Sequence, residues 1–82
     1  MRVEFELPDI GVVPSDKVVV SFWHVEEDEE FVEGNDLMEV STNKATFNIS
    51  APSTGKLIEI LVQEGDPVEP GDAIAIIDTE DN

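Results

Sequence analysis

Cysteine is absent from this chain and basic residues are nearly so: four lysines and arginines stand against twenty aspartates and glutamates in 82 residues. Without cysteine, neither a disulfide nor a thiolate metal site can supplement the core. There is one histidine and no nucleophile pair to go with it, so neither a triad nor a metal centre can be assembled; no catalytic residue and no metal ligand is expected. The formal charge of −16 repels nucleic-acid phosphates and anionic membrane surfaces and favours encounter with basic protein surfaces. No apolar run approaches membrane-spanning length, and the N-terminus carries no charged segment followed by an apolar stretch. The expected partners are therefore proteins, and the expected setting is soluble and intracellular. A chain this short makes one small domain, burying roughly 60% of its unfolded surface and leaving no room for a deep substrate cleft.

Helical periodicity is missing as well. Val3, Phe5 and Leu7 alternate near the start, and Val18, Val20 and Phe22 do so in the next run. Further strands are predicted at Leu37 to Thr42, Ala45 to Ile49, Lys56 to Val62 and Ala73 to Asp78, between turns rich in Pro and Gly. Short strands without helices make an all-β sandwich or barrel. Phe22 and Trp23 are neighbours in a strand, so one should pack inward while the other stays partly exposed.

The chain also resembles itself at a shift of 37 positions. Val25, Glu27, Gly34 and Thr42 fall on Val62, Glu64, Gly71 and Thr79, while Phe31, Leu37 and Val40 fall on Val68, Ile74 and Ile77. Two similar halves about a pseudo-two-fold axis are implied. The position matching Lys44 is residue 81, so the segment around Lys44 and the chain termini should occupy opposite poles.

Lys44 itself lies where two strand patterns meet, with Asn43 and Lys44 as the tip of a β-hairpin and the amine directed into water. A lysine at a turn is usually a solubilising residue. In so acidic a chain a lone cation at a hairpin tip suggests an amine placed for use. Glu64-Gly65-Asp66-Pro67 and Pro70-Gly71-Asp72 read as tight structural turns in preference to a carboxylate metal site built on Asp66 and Asp72. The run Glu26 to Glu30 reads as a solvated turn, with contact to a basic partner as the alternative.

Several motifs in order carry a family resemblance: Leu7-Pro8-Asp9-Ile10-Gly11, Trp23 and Val25, Gly34, Thr42-Asn43-Lys44-Ala45-Thr46, Ala51-Pro52 with Gly55, and Val62-Gln63-Glu64-Gly65-Asp66-Pro67-Val68. Through them the chain resembles the lipoyl domains of the dihydrolipoamide acyltransferases of 2-oxo acid dehydrogenase complexes, within the biotinyl/lipoyl-carrier superfamily. The resemblance implies a flattened barrel-sandwich hybrid of two four-stranded antiparallel sheets with pseudo-two-fold symmetry. It implies lipoic acid in amide linkage on Lys44, flanked by Asn43 and Ala45. The implied role is a swinging arm carrying acyl groups and electrons, by a domain that is itself monomeric and not an enzyme.

The implied partners are a thiamine-dependent 2-oxo acid decarboxylase, an acyltransferase catalytic domain, dihydrolipoyl dehydrogenase, and a lipoate ligase or lipoyl transferase. The implied location is the cytoplasm, or the mitochondrial matrix in a eukaryote. Partner recognition is expected at Val13, Pro14, Ser15, Asp16 and Asn43. Residues 1–79 would form the domain, and 80–82 the start of a linker or a C-terminal tail.

Two other readings share the fold, a biotinyl carrier of a carboxylase and an unmodified interaction module. Biotin-acceptor lysines of this family usually lie between two methionines, whereas Lys44 lies between Asn43 and Ala45. Three positions depart from the lipoyl pattern. Asn43 stands where Asp is common, Asp28 stands where the second half has Gly65, and the loop Val12 to Lys17 lacks further glycines.

Overall fold

The computed structural model describes residues 1–11 and 16–79. Eight strands are present: β1 (Arg2–Glu6), β2 (Val18–Trp23), β3 (Glu30–Phe31), β4 (Asp36–Ser41), β5 (Thr46–Ser50), β6 (Gly55–Ile60), β7 (Pro67–Val68) and β8 (Ala73–Thr79). They form two antiparallel four-stranded sheets, β1-β8-β6-β3 and β5-β4-β2-β7, each open at its edges, so the architecture is a flattened sandwich that does not close into a barrel. The six longer strands match the alternating runs of the sequence. β3 and β7 were not foreseen as strands, because two residues cannot display an alternation; Phe31 and Val68 stood out only as matching apolar positions.

Those two short strands tie the halves together. Each leaves its own half to pair with the other sheet, β3 with β6 through Glu30↔Lys56 and β7 with β2 through Val18↔Val68. The shift of 37 positions carries β2, β3 and β4 onto β6, β7 and β8 and exchanges the sheets.

The symmetry reaches individual hydrogen bonds. Asp28 N donates to Leu57 O at 2.6 Å, and its counterpart Gly65 N donates to Val20 O at 2.7 Å; Gly34 N reaches Ala51 O at 3.1 Å, and Gly71 N reaches Leu7 O at 2.8 Å. The bulges repeat too, between Val20 and Phe22 on β2 and between Leu57 and Glu59 on β6. All four of these turn residues have positive φ, with Asp28 at 72° standing where its counterpart Gly65 is at 91°. Asp28 thus preserves the turn, in a conformation that a side chain adopts at some energetic cost.

The core follows the same plan. One cluster gathers Val20, Met38, Val40, Val68 and Ile74, and the other their counterparts Leu57, Ala75, Ile77, Phe31 and Leu37. Phe5 and Trp23 pack against both clusters, joining them into one interior. Trp23 is the inward member of its pair and Phe22 is half exposed, touching His24 edge-on at 5.2 Å between ring centroids.

Trp23 of β2 and its counterpart Ile60 of β6 pack against the same core cluster and line one cleft. The β4–β5 turn lies beyond the end of β2 where Val19 pairs with Ser41, and Met1 and Thr79 lie at the end of β6 where Lys56 pairs with Asp78. The hairpin tip and the Met1–Thr79 contact therefore sit at opposite poles, while residue 81, the position matching Lys44, lies outside the described residues.

Candidate functional site

β4 and β5 pair from Asp36↔Ser50 to Ser41↔Thr46 and deliver Thr42-Asn43-Lys44-Ala45 as their connection. A two-residue hairpin turn commonly uses positive φ at both central residues. Asn43 and Lys44 do not: the one non-glycine residue with positive φ among those described is Asp28.

Thr42 takes over the closure. Its amide donates to Ala45 O at 2.8 Å, and its Oγ1 accepts the amides of Lys44 and Ala45, both at 3.1 Å. The same hydroxyl lies 3.3 Å from Ala45 O, in position to donate. A hydroxyl that binds backbone two and three residues ahead is a side-chain mimic of a turn, and it fixes the tip without glycine. Thr42 is the positioning residue of the tip that periodicity missed; the signal was a threonine two positions before the lysine.

On this capped tip the Lys44 side chain is 72% exposed. Its Nζ stands 3.7 Å from Oδ1 of Asp16, a carboxylate shielded to 16% exposure. The structure thus brings Asp16 to the lysine. Asn43 and Ala45 flank Lys44 as exposed residues. The expected recognition positions Val13, Pro14 and Ser15 lie outside the described residues, as do residues 80–82.

The opposite pole mirrors the tip closely. Thr79 N donates to Met1 O at 2.8 Å, the counterpart of Thr42 to Ala45, and Thr79 Oγ1 lies 3.4 Å from Met1 O. There the Met1 ammonium donates to Asp78 Oδ1 at 2.9 Å. That hydrogen bond holds the Asp78 carboxyl below its ordinary range, against a smaller opposing push from desolvation, with the positive charges of Met1, Arg2 and Lys56 adding to the lowering.

The remaining candidates serve the turns. Asp66 Oδ2 accepts Gln63 N at 2.8 Å and Asp72 Oδ2 accepts Glu69 N at 2.9 Å, so both carboxylates close their own turns. In the acidic run, Glu29 Oε1 accepts Glu26 N at 2.9 Å and Glu27 Oε2 accepts Ile60 N at 3.0 Å. These two glutamates are structural members of the turn as well as solvated charges. His24 shares a 3.1 Å hydrogen bond with Asn48 Oδ1 on the exposed face of its sheet.

The geometry is that of a small sandwich with an exposed lysine on a side-chain-capped hairpin tip. The chain belongs to the biotin/lipoyl family: a family model described as biotin-requiring enzyme matches residues 3–77. Similar curated proteins are the dihydrolipoyllysine-residue acetyltransferase components of pyruvate dehydrogenase complexes. That of Bacillus subtilis (strain 168) is 37% identical over 78 residues, which is 95% of this chain and 17% of that protein. That of Staphylococcus aureus (strain N315) is 36% identical over 81 residues, 99% of this chain and 19% of that protein. The chain therefore spans less than a fifth of these relatives. A solved structure of a single-chain, multi-domain long-chain acyl-CoA carboxylase shares the fold, with a TM-score of 0.72 at 17% identity over 90% of this chain and 8% of that one.

Proposed function

We propose that this domain is a lipoyl carrier, with lipoic acid attached through an amide to Nζ of Lys44. The observation that carries the reading is the display of that amine, 72% exposed on a turn closed by Thr42, in a chain whose similar proteins are named for a dihydrolipoyllysine residue. The site fits such a group, because an acyl chain on Nζ extends into solvent. When bound, lipoate supplies a dithiolane that takes up an acyl group and electrons from a thiamine-dependent 2-oxo acid decarboxylase, passes the acyl group to an acyltransferase catalytic domain and is reoxidised by dihydrolipoyl dehydrogenase.

The chain's own part is placement. β4 and β5 hold the tip away from the core, and Thr42 fixes the backbone from which the arm starts. Asp16 gives the unmodified ammonium a counter-charge at the tip. The domain is a substrate for its partners and performs no turnover of its own, and the pole at Met1 and Thr79 leaves a tether clear of the arm. Tethering of this kind raises the effective concentration of the arm at each partner site, to the millimolar range for short flexible linkers.

The test is the intact and peptide mass of the domain after incubation with lipoate ligase, ATP and lipoic acid, beside a parallel biotin-ligase reaction. A lipoyl increment confined to the Lys44 peptide, absent from a folded Lys44→Arg variant, is the expected result. A biotin increment would replace the cofactor assignment. No increment from either ligase on folded protein would overturn the carrier reading.

A further inference from the structure

Away from Lys44, an open cleft of about 660 Å³ straddles the pseudo-two-fold axis. Its apolar lining is Trp23, Val25 and Ile60, and Glu26, Glu27 and Glu64 stand around it. The lining pairs by symmetry, Trp23 with Ile60 and Glu27 with Glu64, so the two halves build the cleft jointly. The symmetry breaks at the carboxylates. Glu27 Oε2 is committed to Ile60 N at 3.0 Å, whereas among the described residues the matching bond from Trp23 N to Glu64 is not made. The Glu26 and Glu64 carboxylates likewise carry no hydrogen bond or ion pair among the described residues.

We infer that this cleft seats an arginine side chain from a basic segment of a partner protein. The occupant follows from charge complementarity. A guanidinium is flat, weakly hydrated and apolar enough on its faces to lie against Trp23, Val25 and Ile60, while its fork of donors suits carboxylates on two sides. The strongly negative surface steers basic segments toward the domain, and the cleft adds a place where one side chain loses water. A second copy of this chain is a poor occupant, since it brings the same charge of −16 and one arginine, Arg2. The inference does not depend on modification of Lys44.

The chain's single tryptophan lies in the cleft and reports directly. The unmodified domain is titrated with a blocked triarginine peptide while Trp23 fluorescence and the indole N–H resonance are followed. Three proteins are compared: the parent, Glu26→Gln/Glu64→Gln, and Glu4→Gln/Glu69→Gln, which removes the same charge at exposed positions outside the cleft. The expected result is a saturable change at Trp23, with affinity lowered roughly tenfold in the cleft variant and less than twofold in the control. Equal weakening in both variants, or binding to which Trp23 does not respond, would reduce the interaction to general attraction and overturn the site. Self-association of the domain through the cleft in place of peptide binding would overturn the occupant.

Discussion

At Thr42 one hydroxyl accepts two backbone amides and so substitutes for the positive-φ geometry that the tip residues do not adopt. Thr42→Val should lower stability by about 1 kcal/mol. It should also speed amide exchange at Lys44 and Ala45 while leaving the core amides protected, as hydrogen exchange would show, and Thr42→Ser should restore that protection. Asp28 and Gly65 offer a matched pair of substitutions on equivalent turns. Relief of a left-handed side-chain residue makes Asp28→Gly stabilising by about 0.5–1 kcal/mol, whereas Gly65→Ala, at φ 91°, destabilises by about 1 kcal/mol, both read from urea unfolding. At this scale the lysine was legible in sequence because a lone cation stood between two alternating runs. The Thr42 cap and the contact of Asp16 with Lys44 were not, since each depends on which atoms a turn brings together.

The strands β3 and β7 are two residues long, yet each stitches its half to the opposite sheet. Phe31 and Val68 are the matching buried side chains on these stitches, each seated in a cluster that draws on both halves. Phe31→Ala should therefore cost about 3–5 kcal/mol, much of the stability of so small a domain, and thermal unfolding should be lowered steeply or lost. The longer strands could be read from alternation because one face of each is buried. A two-residue strand has no period to read, so its pairing follows from the repeat and the family resemblance. The cleft at the axis was equally hidden, since Trp23 and Ile60 stand 37 positions apart and come to line one cleft only through the folding of both halves.

The whole molecule carries a net charge of −16 on an accessible surface of 4995 Å², with two ion pairs among the described residues. Folding crowds carboxylates that the open chain holds farther apart, so self-repulsion opposes the native state. Raising sodium chloride from about 0.01 M to about 1 M shortens the screening length from about 30 Å to about 3 Å. The melting temperature should then rise by about 4–8 °C, equivalent to about 1 kcal/mol, and a flat response in calorimetry would show that the carboxylates are already spaced widely enough. The contact between Thr79 and Met1 gives this small molecule a second property. Thr79 holds Met1 by the bond that Thr42 makes to Ala45, so β8 and β1 are drawn together at one pole as β4 and β5 are at the other. One pole is closed by a continuous turn and the other by a hydrogen bond between residues 78 positions apart, so the same backbone geometry is reached once through covalent chain and once without it.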